Sequence, residues 1–436
     1  MSQLSLDPSD GRHLALRSNL GLMITRDAGA TWEFRCKAAL GYDERDEPAL
    51  AILHGGALLL GVSTGVRFGD AAGCQFRPAV GIHAHVVDVI AIPGTPGAAL
   101  AVSVSYADSS SRVWKSLDNG RSFHALGPPI RRFTALSLGA PAAMPKRIYM
   151  TGLLWSGAVE GAFARSDDGG RSFTVTPIAN SDSGAQPYIA ALSPQRSDTL
   201  YLRFTGTPGR VSVSDDAGQT FREVLSIPGS VQGLAVSTNG QTVFASSLEA
   251  GIYRADAASL KFDRITCAGL PCLTPSGDAL LGCGRQSSDG FIVGRSADQA
   301  RSFSRTLDAR CLGPASCGSQ PSSAGSCAPS LLGPSAGAGQ VDAECATGAT
   351  SQPLSRACFE QPDRARSVDV IAPSVTRPVA KARVRIGRGA GSGCSLSKGL
   401  ASRAMDPIPI SVLLLIALSR RTRPREASRR LSRTPR

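Results

Sequence analysis

The sequence predicts an all-β, seven-bladed β-propeller, and three observations predict it. A phrase of the form Ser/Thr-x-Asp-x-Gly-x-Ser/Thr-aromatic recurs along the 436 residues. Its aspartates, Asp27, Asp70, Asp118, Asp168, Asp216, Asp256 and Asp298, are 43, 48, 50, 48, 40 and 42 residues apart, the length of one four-stranded blade. Between the phrases lie short alternating or apolar runs bounded by Gly, Pro, Asp and Asn, and nothing reads as a long amphipathic helix. That is strand patterning, and seven units imply seven blades.

Unit one carries strand runs at Leu4–Leu6, His13–Leu16 and Leu22–Ile24, so the first strand begins almost at Met1. Its phrase runs from Thr25 through Asp27, Gly29 and Thr31 to Trp32, and a strand follows to Phe34. Unit two has a worn phrase around Asp70 that ends at Phe76. Units three and four carry full copies, Ser116 to Phe123 and Ser166 to Phe173. Unit five repeats the plan of unit one, with Ile189–Leu192, Thr199–Leu202 and Val211–Val213 before Ser214, Asp216, Gly218 and Thr220, then Phe221–Val224. Unit six gives Val231–Val236, Val243–Ala245 and Ile252–Tyr253, with a worn phrase at Asp256 ending at Phe262. Unit seven closes on Ser296 to Phe303, with Ala300 in place of the glycine.

The phrase has a physical job. An aspartate in a hairpin accepts hydrogen bonds from N–H groups a few residues on and closes the turn. The glycine takes a backbone angle that other residues adopt at a cost, and the aromatic packs into the blade's apolar layer. These seven aspartates are therefore read as structural rather than catalytic or calcium-binding, because all recur where a blade needs its hairpin closed.

The phrases resemble Asp-box, or bacterial neuraminidase (BNR), repeats, which occur in sialidases, sortilin-type receptors, xyloglucan-cleaving enzymes and photosystem assembly factors. The resemblance covers residues 1–310 and implies the propeller fold. It does not imply an activity, since the superfamily mixes hydrolases with pure binding proteins.

Charge divides the chain. Residues 1–310 hold 29 Lys+Arg against 27 Asp+Glu, whereas residues 311–436 hold 18 against 7. The tail thus carries +11 of the net +13. A nearly neutral propeller without aromatic-basic interleaving argues against nucleic acid as a partner.

From Cys311 the period is lost. Gly, Ser, Ala and Pro dominate to about Cys358, with too few large apolar residues to bury a core, so residues 311–400 read as a low-complexity, cysteine-containing linker. Residues 401–436 hold an apolar run, Ile408–Leu418, and a dense arginine cluster from Arg420 to Arg436. Glycine-cysteine at Cys394, an apolar stretch and terminal arginines together resemble the MYXO-CTERM sorting tail of myxobacterial surface proteins. The resemblance implies transport out of the cytoplasm, transient membrane anchoring with the arginines on the inner side, and processing near Cys394. The run is shorter than the roughly 20 residues that span a bilayer, and the rival reading is a disordered basic tail.

Met1–Asp7 has neither a basic nor an apolar signal region. The protein is therefore cytoplasmic, or its true start lies upstream of Met1; the second is expected, because the chain opens directly on a blade strand. Eleven cysteines without a CxxC pair favour disulfides in an oxidising compartment over zinc. Cys36 and Cys74 belong to adjacent units and are candidates for a bridge. Cys267, Cys272 and Cys283 crowd unit seven, and one of them is a candidate partner for Cys311. Cys394 is the expected odd thiol.

In a propeller the Asp-box turns occupy one face, and ligands meet the opposite one. The candidates there are Tyr42, with Asp43 and Asp46 in the loop between units one and two, and His83 and His85, whose alternate spacing would aim both imidazoles one way on a strand. Tyr106 and Asp108 follow in unit three, Arg131 and Arg132 between units three and four, Trp155 and Glu160 in unit four, and Tyr188 at the start of unit five. A glycosidase needs two facing carboxylates. Asp43, Asp46, Asp108 and Glu160 are the candidates, and no spacing selects a pair. Comparison with sialidases weakens the enzyme reading, since Phe76-Arg77-Pro78 echoes their first-arginine motif only inside a worn phrase. Tyr253 is a strand residue rather than a nucleophile. The expectation is a monomeric surface or secreted propeller, without cofactor or metal, that binds a glycan or protein on its loop face. The alternatives are a glycoside hydrolase and an intracellular assembly factor.

Overall fold

The structure is a computed structural model that describes residues 3–42, 46–313 and 351–353. Seven antiparallel sheets of four consecutive strands follow one another. Blade 1 is β1–β4 (Gln3–Leu6, Leu14–Arg17, Gly21–Thr25, Trp32–Cys36) and blade 2 is β5–β8 (Ala49–Ile52, Leu58–Val62, Gly65–Gly69, Phe76–Pro78). Blade 3 is β9–β12 (His85–Ala91, Ala99–Ser105, Ser110–Ser116, His124–Ala125) and blade 4 is β13–β16 (Phe133–Gly139, Ile148–Trp155, Val159–Ser166, Thr174–Asp182). Blade 5 is β17–β20 (Pro187–Leu192, Leu200–Phe204, Gly209–Ser214, Arg222–Ile227) and blade 6 is β21–β24 (Gly233–Val236, Thr242–Ser247, Gly251–Asp256, Asp263–Thr266). Blade 7 is β25–β28 (Cys272–Ser276, Ala279–Cys283, Val293–Ser296, Ser302–Leu307). The first strand of each blade packs against the first strand of the next, and β25 returns to β1. The fold is therefore a closed, seven-bladed propeller. Each blade is an up-and-down meander, so the first and third turns share one face. The loops between second and third strands, and the links between blades, share the other.

Apolar burial follows the joints. Seven clusters of buried side chains each straddle two neighbouring blades, from Leu22 and Leu60 between blades 1 and 2 to Trp32 and Leu307 between blades 7 and 1. The driving force of the fold is thus face-to-face packing of twisted sheets, each blade supplying half of two cores.

Five boxes share one wiring. In blade 5 the Ser214 hydroxyl donates to Asp216 Oδ1 at 2.8 Å while accepting the Gly218 N–H at 2.8 Å. Thr220 donates its N–H to Oδ1 at 2.9 Å and its hydroxyl to Oδ2 at 2.6 Å. The same set recurs at Asp27, Asp118, Asp168 and Asp298. Partial burial pushes the Asp27, Asp118, Asp216 and Asp298 carboxyls up, and these bonds outweigh it, holding them below the usual carboxylate range. The worn boxes keep less among the described residues: Asp70 accepts the Cys74 N–H, and Asp256 the N–H groups of Ala258 and Ser259.

Each full box places two successive residues in left-handed conformation, such as Ala217 at φ 60 and Gly218 at φ 85. In blade 7 the pair is Gln299 and Ala300, at φ 61 and 67. The Ala300 methyl is fully buried in the core between blades 6 and 7, and that packing offsets the strain a glycine would avoid.

The boxes also bind the preceding blade. Fully buried Arg35 of β4 donates to the Ala72 and Gly73 carbonyls of box 2 at 2.8 and 3.2 Å. Arg165 of β15 reaches the Ala217 carbonyl of box 5, and the Trp32 indole N–H donates to the Thr306 carbonyl of blade 7 at 3.2 Å. Around the channel, side chains satisfy the exposed edges of the innermost strands. Gln3 of β1 exchanges two bonds with the Leu50 backbone, both 3.0 Å. Ser137 accepts the Ile189 N–H at 2.8 Å, and Thr274 donates to the Leu4 carbonyl across the ring closure.

Two strands lie beyond residue 310, where the sequence reading ended the propeller. β29 (Leu312–Gly313) pairs in parallel with β4 on the outer edge of blade 1, and β30 (Ser351–Pro353) pairs with β28 on the outer edge of blade 7. The propeller boundary therefore needs correction, because a β-edge accepts any backbone, whatever its side chains. Cys272 and Cys283, direct cross-strand partners with Cα atoms 5.1 Å apart, form a disulfide. Cys36, Cys74, Cys267 and Cys311 are in disulfides as well. Asp43, Cys394 and the apolar and arginine-rich segments after residue 401 lie outside the described residues.

Two predictions follow the box geometry. Asp216→Ala should cost about 2 kcal/mol in urea unfolding and Asp256→Ala about 1 kcal/mol, in proportion to the bonds each loses. Gly169→Ala, at φ 80 in open space, should cost about 1 kcal/mol from backbone strain alone. Gly218→Ala, at φ 85 with its new methyl driven into the Phe163 ring, should cost about 3 kcal/mol or more; equal losses at the two sites would refute the packing role.

Candidate functional site

The loop face collects most of the expected residues, but not as one site. Tyr42, in the link from blade 1 to blade 2, is half-buried, with its hydroxyl sealed and without a hydrogen bond among the described residues. Burial pushes its pKa up to about 12, with Arg17 opposing and Asp46 adding. Asp46 accepts the Ser63 hydroxyl at 3.1 Å. His83 is exposed in the link that precedes β9, whereas half-buried His85 opens the strand. The two therefore do not share a strand as their spacing implied. Instead the His85 ring meets Tyr106 edge to face, with centroids 5.6 Å apart.

Tyr106 follows the end of β10, and Trp155 ends β14. Both are exposed, at 68% and 40%, and the Trp155 indole N–H is held by the Thr134 hydroxyl at 3.0 Å. Arg131 and Arg132 are exposed in the link between blades 3 and 4. Exposed Asp108 is held below the usual carboxylate range by the hydroxyls of Ser105 and Ser110, with Arg131 contributing. Glu160 is half-buried opposite Asp182 across β15 and β16. Among the described candidates Asp46 lies before blade 2, Asp108 in blade 3 and Glu160 in blade 4, and each of Asp46 and Asp108 is already bonded to a serine.

Inward from this rim runs the central channel. A cavity of about 440 Å³ is lined by the first strands of blades 1, 5, 6 and 7. Its lining is backbone, aliphatic side chains, the amides of Gln3 and Gln232, and one ionisable group, Arg203. Arg203 stands on β18 directly opposite Tyr188 of β17, and its guanidinium lies over the Tyr188 ring, 4.8 Å from the centroid. Burial lowers its pKa, with only Tyr188 opposing. Tyr188 itself is half-buried, and its pKa is raised by burial.

Asp88 of β9 is a second group the sequence reading missed. Its carboxylate accepts the Val89 N–H at 2.9 Å and, across the joint to blade 4, the Leu138 N–H at 2.8 Å. It is half-buried on the channel wall, and desolvation pushes its pKa up to about 7 against those two bonds. Neither residue carries a motif. Arg203 sits within a Leu-Tyr-Leu-Arg-Phe strand and Asp88 within a Val-Val-Asp-Val-Ile strand. A lone charge inside an apolar strand was the available signal.

A second cleft, of about 450 Å³, lies between blades 4 and 5 beside box 5. Its charges are already spent: Asp167 pairs with Arg165 at 2.8 Å and with Arg147 at 2.7 Å, and Arg147 also holds Asp198. It reads as a joint between blades rather than a binding site. Among the described residues no three His, Cys, Asp or Glu side chains gather as a metal site.

No family model and no curated protein matches the chain. Solved structures do. A GH74 enzyme of Niastella koreensis aligns over 69% of this chain and 64% of its own length, at 12% identity and a TM-score of 0.40. Sqt1 of Saccharomyces cerevisiae aligns over 68% of this chain and 82% of its own, at 12% identity and 0.47. The β-propeller domain of Myceliophteria thermophila Cps50 (Swd1) aligns over 66% and 97%, at 11% identity and 0.44. At such values the likenesses carry no argument about activity, and the architecture stands on the seven sheets themselves.

Asp88 predicts a pH effect. Its folded pKa lies above the unfolded value near 4, so between about pH 4 and 7 the folded chain binds more protons, and this contribution to stability falls as pH rises. Asp88→Asn should remove it. Across that window the variant's unfolding free energy should gain roughly 3 kcal/mol relative to the parent, as read from urea titrations at several pH values. A constant difference would overturn the assignment.

Proposed function

We propose that this is a non-catalytic binding propeller, displayed at or beyond the cell surface, that holds a glycan on its loop face. The observation that carries the reading is the placement of Tyr106 and Trp155. They are the two exposed large aromatics among the described residues, and they stand at equivalent positions in adjacent blades. Each ring is steadied by a neighbour, His85 or Thr134. Ordered, solvent-facing rings offer flat π faces to the polarised C–H groups of a sugar, at little entropic cost on binding. Disulfide bonding of all six described cysteines supports an oxidising compartment. Asp46 and Asp108 are each bonded to a serine, which supports binding rather than hydrolysis by a facing carboxylate pair.

The test is glycan-array binding of the full chain, with Tyr106→Ala and Trp155→Ala beside it. Each variant should keep its fold and lose about tenfold in affinity for the retained glycan. Turnover of chromogenic glycosides that is lost in Asp108→Asn would replace this reading with a hydrolase. Retention of a protein in place of any glycan, with the same two variants impaired, would change the partner class.

A further inference from the structure

The channel behind that rim holds an arginine whose partner is missing. Among the described residues Arg35, Arg147, Arg165, Arg210 and Arg305 each form an ion pair within the protein. Arg17, also buried, lies 3.8 Å from Glu47. Among the described residues the Arg203 side chain has neither an ion pair nor a hydrogen bond, and its guanidinium lies over the Tyr188 ring. Asp88, near the same tyrosine, spends both carboxylate oxygens on backbone N–H groups.

The guanidinium is half-buried, so it loses part of its water and no carboxylate of the fold replaces what is lost. It is also well prepared. The Tyr188 ring covers one face of the guanidinium plane, and the five in-plane N–H donors are left without acceptors. Those donors match an oxyanion in bidentate geometry. The cavity volume of about 440 Å³ suits a small organic ligand. The aliphatic walls from β17, β21 and β25, such as Ile189, Leu234 and Leu273, suit an apolar or ring-shaped body.

We propose that the central channel binds a small ligand carrying a carboxylate or phosphate, held by Arg203 against Tyr188 and packed along the inner strands of blades 5, 6 and 7. Arg203 lies near the loop-face end of β18, so the channel site extends the glycan-binding reading and rests on it: the bound group is an acidic one. An anion there completes the ion pair that the fold leaves open, and no bond is made or broken.

The test uses the disulfide-intact full chain at fixed ionic strength, with glucuronate and inorganic phosphate as probes and glucose as the uncharged control. Ligand-observed NMR and thermal unfolding should both show saturable binding of at least one oxyanion and none of glucose. Glucuronate alone would identify a carboxylate with a sugar-sized body, and phosphate alone a phosphate. Arg203→Met should unfold at about the same temperature, as expected when a half-buried charge without an ion pair is replaced by an apolar side chain. It should bind the oxyanion about tenfold or more weakly and lose the ligand-induced thermal shift. Arg203→Lys, which keeps the charge but not the fork, should bind at an intermediate level and serves as the readout if the methionine variant does not fold. Equal binding by parent and variants, or no binding of either oxyanion, overturns the proposal. Loss of oxyanion binding with the array signal intact would leave the loop-face reading standing, whereas loss of the array signal in Tyr106→Ala alone would not touch the channel.

Discussion

Everything in this propeller hangs on a carboxylate that closes a turn. Each full box asks one aspartate to accept three bonds from residues two behind and four ahead, while two intervening residues adopt left-handed backbone. That combination is demanding, which is why the sequence phrase is so constrained and so visible. It also produces more than a hairpin. In box 5 the left-handed Ala217 presents its carbonyl to Arg165 of the preceding blade, and in the worn box 2 the carbonyls of Ala72 and Gly73 receive Arg35. The turn that finishes one blade is thus a docking point for its neighbour. Where the box is worn, in blade 2, the arginine contact from blade 1 remains, so the joint outlasts the hairpin wiring that created it.

A ring of seven joints has one place where sequence neighbours cannot help, the seam between blades 7 and 1. The Trp32 indole and the Thr274 hydroxyl cross it, and a core of Leu4, Leu14, Val293 and Leu307 fills it. The first and last blades each complete four strands of their own, so no strand is exchanged to lock the ring. Instead the chain lays a short strand along the outer edge of blade 1 and another along the outer edge of blade 7. Closing the seam by edge addition needs only backbone. That explains why a stretch poor in large apolar residues can take part, although its composition argues against a core of its own.

The architecture was legible because its signals are local. The box is an eight-residue phrase, the strands alternate, and the blade length repeats. All seven blades therefore fall where the periodicity puts them. The exposure of Tyr106, just after β10, and of Trp155, at the end of β14, follows from the meander that sends both strand ends to one face. The channel was not legible. Arg203 is a second-strand residue, and nothing in its own strand says that Tyr188, fifteen positions earlier, will stack beneath it. Asp88 looked like an ordinary strand residue, because its partner is the backbone of a strand fifty positions away. Gln3 and Ser137 were invisible for the same reason: bonds from side chains to another blade's backbone leave no pattern in either segment. His83 and His85 misled in the opposite way, since alternate spacing only aligns side chains within a strand, and the strand starts at the second histidine.

Arginine separates the parts of this molecule that hold it together from the part that is open to something else. Arg35 and Arg147 lie deeper than Arg203, and each is held by carbonyls or carboxylates of its own and the neighbouring blade. Their charge is consumed in joining sheets, and removing it would leave orphaned acceptors. Arg203 joins nothing. It leans on an aromatic ring that supplies attraction without neutralising it, beside the cavity that the inner strands of blades 1, 5, 6 and 7 line. A rigid ring can keep such a charge waiting, because the box-and-joint scaffold gives the channel wall no freedom to collapse onto it. The physical distinction between mortar and site is therefore whether the fold itself completes the group's hydrogen bonds, and at Arg203 it does not.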